Sequence, residues 1–99
     1  MNLEKNLHHH SGNPSTALIH QTDNVKVISI GLKKGVELKE HHTPVPAFLT
    51  VVKGSIDFYI DDEVHRLNYL DTFTIPVGDL HHVIGVGEEN VFMLILELE

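Results

Sequence analysis

Nine of the 99 residues are histidine, the side chain that titrates nearest neutrality and the commonest metal ligand. They are clustered: His8, His9 and His10 form one run, His41 and His42 a second, His81 and His82 a third, while His20 and His65 stand alone. Imidazoles gathered from separate segments can hold a divalent ion, exchange hydrogen bonds with an organic ligand, or transfer protons. No other chemistry is written as openly. The chain has no cysteine, hence no thiolate ligand, thiol nucleophile or disulfide. It carries no phosphate-cradling glycine loop, zinc-protease helix motif or nucleophile elbow, and Ser15, Ser29 and Ser55 lie in no context that activates a hydroxyl. The acidic runs Asp61-Asp62-Glu63 and Glu88-Glu89 read as solvated turns rather than cation sites.

The elements that must position these histidines are short and strand-like. Residues 1–14 mix charge, the triple histidine and the breaker run Ser11-Gly12-Asn13-Pro14, and read as a flexible N-terminal arm; residues 15–99 read as the folded domain. Within it, residues 25–32, 36–42, 47–52, 56–60, 64–67, 72–75, 82–86 and 91–98 are apolar or alternating segments separated by turn signals. Ile56, Phe58 and Ile60 alternate with Asp57 and Tyr59, the period of two that buries one face of a strand. Asp61-Asp62-Glu63 then turns the chain into a hairpin partner at 64–67. Residues 91–98 suit a buried helix by propensity, but the flanking turn and the surrounding strands favour a strand. Phe48, Tyr59, Phe73 and Phe92 are assigned to core or pocket wall, and Pro44 and Pro46 to an edge or rim. About nine short strands and no convincing helix predict an all-β sandwich or barrel.

Composition narrows the partners. Seven Lys and Arg against fourteen Asp and Glu give a formal charge of −7, which repels phosphate backbones and anionic lipid and argues against nucleic-acid or membrane partners. No apolar run approaches the ~20 residues that span a bilayer. The opening Met1-Asn2-Leu3-Glu4-Lys5 lacks a secretory layout, so the expected location is the cytoplasm. Small molecules, metals and other proteins remain.

Two spacings resemble the motifs of the cupin superfamily. Gly35 is followed after five residues by His41, and Gly54 closes the first motif at the family distance. Thr43 stands where the motif has its second histidine, and Ala47 where it has a glutamate. In the second motif Pro76, Gly78 and His81 are in register, while Leu70 replaces a glycine and Gly85 an asparagine. The resemblance covers roughly residues 25–98. It implies a single-domain cupin, a double-stranded β-helix or jelly-roll barrel of the RmlC-like type. Gly35, Gly54 and the Pro76-Val77-Gly78 turn are then scaffold positions.

In that family the ligand positions project into the barrel and hold a divalent metal. The resemblance therefore points to His41 and His81 as metal ligands, with His42 and His82 as weaker candidates, and to one divalent transition metal (iron, manganese, nickel or zinc). Since residues two apart on a strand share a face, His41 and Thr43 are expected inward and His42 outward. Further donors would come from a bulge that turns His42 inward, from His82, or from His20. The expected ligand-binding set is His41, His81, Thr43 and Ala47, with Thr43, Val45 and Ala47 continuing the inward face. His65 and His20 are expected to face solvent or a satisfied core edge. The expected function is a barrel that binds a small organic molecule in its interior, with a divalent metal at the mouth. The alternative is a metal-dependent enzyme of the family's dioxygenase, isomerase or cyclase kind. Cupins pair through edge strands, so a homodimer is expected in either case.

Overall fold

The computed structural model describes residues 1–7 and 12–98. The His8-His9-His10 run lies outside the described residues. A helical turn, α1 (Leu3–Asn6), precedes nine strands: β1 (Ser15–Gln21), β2 (Val25–Lys33), β3 (Glu37–His41), β4 (Ala47–Lys53), β5 (Ile56–Ile60), β6 (Glu63–Leu67), β7 (Thr72–Ile75), β8 (His81–Gly85) and β9 (Glu89–Glu97). Within the stretch read as an arm, Asn2 caps α1 by accepting from the Lys5 N–H, and Leu7 is buried. No helix among the described residues is long and apolar enough to cross a membrane.

The strands form two antiparallel sheets, one in the order β1-β2-β9-β4-β7 and the other β3-β8-β5-β6. β9 is hydrogen-bonded along its length to β2 on one side and β4 on the other. A helix at that position would strand both neighbouring ladders, which is why sheet context overrides propensity there. Alternation then sorts the side chains. Ile30, Phe92 and Val51 stand opposite one another on the inner face of the larger sheet, and Val83 and Phe58 on the inner face of the smaller. Phe58, Leu49 and Phe92 have essentially no solvent contact, and each such side chain contributes about 1.5–3 kcal/mol of burial. The same alternation corrects two of the aromatic assignments: Phe48 lies between inward Ala47 and Leu49, and Tyr59 between inward Phe58 and Ile60. Both rings therefore point away from the core.

The Asp61-Asp62 turn joins β5 to β6 with both residues in the left-handed region, φ 52° and 61°. Two central residues with positive φ are what a two-residue hairpin matched to the sheet twist requires, and aspartate tolerates that region better than most residues. The turn fixes the register Ile60 with Glu63, Phe58 with His65 and Ile56 with Leu67.

One end of the barrel is closed by Asn90. This side chain is fully buried. Its Nδ2 donates to the carbonyls of Leu32 and Gly87, and its Oδ1 accepts from the backbone N–H groups of Ser55 and Gly87, all at 2.9 Å. Gly54 and Gly85 pack so closely that a Cβ on either would collide with the Asn90 amide. Gly54 also has φ +69°, so both space and backbone require glycine there. At Gly85, where the cupin motif has asparagine, the room is taken by Asn90 from β9 of the other sheet. Leu70, standing where the motif has glycine, keeps a left-handed backbone, φ +69°.

Candidate functional site

The opposite end of the barrel carries the histidines. His81 opens β8 four residues before Gly85, roughly 13 Å along the strand. It stands opposite Ile60 on β5 and opposite His41 on β3. Simple alternation would not bring His41 inward, because it lies three residues after inward Leu38. The pairing of β3 with β8 slips between Leu38 and His41, so three steps on β3 match two on β8. One extra residue in a strand is a β-bulge, and it re-aims every side chain beyond it. A bulge of the kind expected in this region is present, but it turns His41 inward rather than His42.

The two imidazoles touch, with ring centroids 4.3 Å apart and the planes inclined at 62°. His81 also stacks on Phe58 at 5.2 Å. Each ring is tethered at the same atom: Nδ1–H of His41 donates to the Lys39 carbonyl at 2.8 Å, and Nδ1–H of His81 donates to the Asp79 carbonyl at 3.1 Å. A neutral imidazole has one N–H, and a carbonyl can only accept, so in the neutral form of either ring the proton sits on Nδ1 and the lone pair on Nε2. Burial pushes the pKa of His81 below its ordinary value, His41 adds to that, and the Asp79 carbonyl opposes it. His81 is therefore neutral at physiological pH.

Thr43 follows on the loop after β3. Its carbonyl accepts from the Gly78 N–H, tying the two loops at this end together. Its side chain is nine-tenths buried, and its hydroxyl has no partner among the described residues, a lack shared with the buried Ser29 hydroxyl on β2. Buried hydroxyls nearly always have a partner, so the Thr43 hydroxyl is open to one from outside the chain. Ala47 begins β4, buried between Ile75 and Leu96, and offers the site only a methyl group. Val45 is half-buried in the loop. The inward run of Thr43, Val45 and Ala47 is not one strand face, because residues 42–46 leave the sheet.

The remaining histidines fall elsewhere, with one exception. His42 is exposed. His82 lies on the outer face of the smaller sheet, stacked on Tyr59 at 4.3 Å and 6°, with Glu37 at 3.9 Å. His20 is exposed on β1, opposite Val27. His65, expected to face solvent or a core edge, lies at such an edge, on the inner face beside its partner Phe58. It is half-buried, 5.0 Å from the Phe73 ring, with Glu63 at 3.5 Å. The two-residue turn carried that signal, since Phe58 inward and a tight hairpin at 61–62 put His65 on the same face. Asn90, read from sequence as a turn residue, had no such signal.

A resident metal finds a poor donor set. Of the four cupin ligand positions this chain keeps two, His41 and His81, and no three His, Asp or Glu side chains among the described residues converge as a metal site. A catalytic ion is held by about three protein ligands with positions left open. The described residues do not fit such an ion.

At the rim, Glu40, Asp61, Asp62, Glu63 and Asp79 join Tyr59, Leu80 and His82 around a groove of about 620 Å³.

The sequence model of cupin domains matches residues 29–97. Solved structures share the fold. A conserved protein of unknown function from Streptococcus pyogenes superposes with a TM-score of 0.84 at 21% identity, covering 100% of this chain and 86% of its own. An uncharacterised protein with a double-stranded β-helix domain from Klebsiella pneumoniae gives 0.87 at 19%, covering 98% and 87%. An RmlC-like cupin from Shewanella frigidimarina gives 0.80 at 17%, covering 90% and 79%. No curated protein matches the chain.

Proposed function

Because the chain belongs to the cupin domain family, we propose that it binds a small organic molecule inside the barrel, at the end lined by His41, His81 and Thr43. The observation that carries this reading is the set of unused polar atoms at that end. Two imidazole lone pairs and one hydroxyl without a protein partner stand beside an otherwise apolar interior. An apolar enclosure with a few unpaired polar groups is the makeup of a small-molecule site. A structural end cap needs no such atoms, and leaving the buried Thr43 hydroxyl unpaired costs stability.

The metal-dependent alternative is tested in the same experiment. Protein purified without an immobilised-metal column is analysed for bound metal and screened against a fragment library by ligand-observed NMR. The expected result is far less than one metal per chain, with fragment binding that is lost in His41→Ala and His81→Ala and retained in His20→Ala. His20 is the control because it is exposed on the outer side of β1; His65, on the inner face, does not qualify. Near-stoichiometric metal that disappears in both site variants would replace this reading with the enzyme alternative. Fragment binding that survives both variants would remove the site altogether.

A further inference from the structure

We infer that the His41–His81–Thr43 end selects an uncharged ligand that donates a hydrogen bond, such as an alcohol, and rejects carboxylates and phosphates. The inference rests on the proposed binding site and specifies the chemistry of its ligand.

The argument is one of polarity. Anion sites are built from donors: protonated imidazoles, guanidinium groups, ammonium groups or backbone N–H groups. Here the N–H of each imidazole is committed to a backbone carbonyl, Lys39 for one ring and Asp79 for the other. What remains on each ring is a lone pair, and a lone pair facing a carboxylate or phosphate oxygen is repulsive. The Thr43 hydroxyl can both donate and accept, so it completes a donor ligand such as an alcohol without opposing it. His41 is the more exposed of the two rings and His81 the deeper, which sets the order in which an entering group meets them.

The rim is a second, independent observation with the same sign. The groove takes in Tyr59 and His82 of the outer face, and its Glu40 and Asp79 stand one and two residues before His41 and His81, so its carboxylates share the histidine end of the barrel. Five carboxylates surround that groove, and no lysine or arginine is among the described residues that line it. A ring of negative charge in a concave surface lowers the local concentration of anions. The rim and the two imidazoles thus exclude the same class of molecule.

The test uses the full chain labelled with ¹⁵N at histidine, at pH 7.5, and three probes built on one ring: benzyl alcohol, benzoate and benzyl methyl ether. The first donates a hydrogen bond, the second is an anionic acceptor, and the third has the oxygen without the donor. Before any probe is added, the imidazole spectra of His41 and His81 are expected to show the proton on Nδ1 and none on Nε2. A proton on Nε2 of either ring overturns the inference on the unmodified protein, whatever the variants do. On titration, benzyl alcohol is expected to shift the Nε2 signals of both rings saturably. Benzoate and the ether should bind about tenfold to a hundredfold more weakly, since each leaves a buried acceptor unpaired. Benzoate moving those two signals as readily as the alcohol would overturn the inference and leave the binding site standing. If no probe moves them, or binding moves only the His82 signals, the site falls and the inference with it.

Discussion

The two ends of this barrel are built from the same strands and treat polar groups in opposite ways. At one end Asn90 spends all its hydrogen-bonding capacity on four backbone partners, and glycines make room for it. At the other end, the Nε2 atoms of His41 and His81 and the hydroxyl of Thr43 have no hydrogen-bond partner among the described residues. Buried polar groups that are fully satisfied specify a structure; those left open give up stability for something else to bind.

The sharpest way to break that contrast is Asn90→Ala. It leaves the Ser55 and Gly87 N–H groups and the Leu32 carbonyl without their partner and opens a cavity among three glycines. A loss of about 3–5 kcal/mol in unfolding free energy is expected, read from urea denaturation with an unchanged m-value. A loss below about 1 kcal/mol would mean that the closed end is not held by this side chain.

The reverse is expected at Thr43. Thr43→Val removes a hydroxyl that has no protein partner and keeps the shape, so the free protein should gain about 0.5–1 kcal/mol while binding of the donor ligand weakens. Lower stability in the valine variant would show that the hydroxyl already has a partner within the fold.

The smallest effect is a slope rather than a step. Burial holds the pKa of His81 below its ordinary 6.5, so as pH falls through that value the unfolded chain takes up a proton that the native ring refuses. Stability contributed by neutral His81 is complete above about pH 6.5 and declines below it. His81→Phe should flatten this decline in denaturation curves measured from pH 7.5 to pH 5. An unchanged slope would assign the acid sensitivity to other groups.

Much of the fold was legible in the sequence, because it rests on local signals. Strand alternation, the Asp61-Asp62 turn and the glycines at 35, 54 and 78 each dictate a short stretch of backbone. Sequence also gave the two histidines that meet. It missed what depends on pairing between distant segments. The β3 bulge is visible only against β8; His41 reaches the inner face as the sequence led one to expect, but through this bulge and not by simple alternation from Leu38. Asn90 looks like one more turn residue until Leu32, Ser55 and Gly87 are around it. Phe48 and Tyr59 were misplaced by weighing hydrophobicity above the alternation that their own neighbours display.

The tethering of both imidazoles has a consequence for how such a barrel can change over time. Each ring is fixed by a carbonyl two residues earlier in its own chain, Lys39 for His41 and Asp79 for His81. The position of the proton is thus written into two tripeptides of backbone and owes nothing to the identity of the surrounding side chains. Substitutions elsewhere in the wall can reshape this end of the barrel. The direction in which the pair accepts hydrogen bonds would pass unaltered from one such descendant to the next.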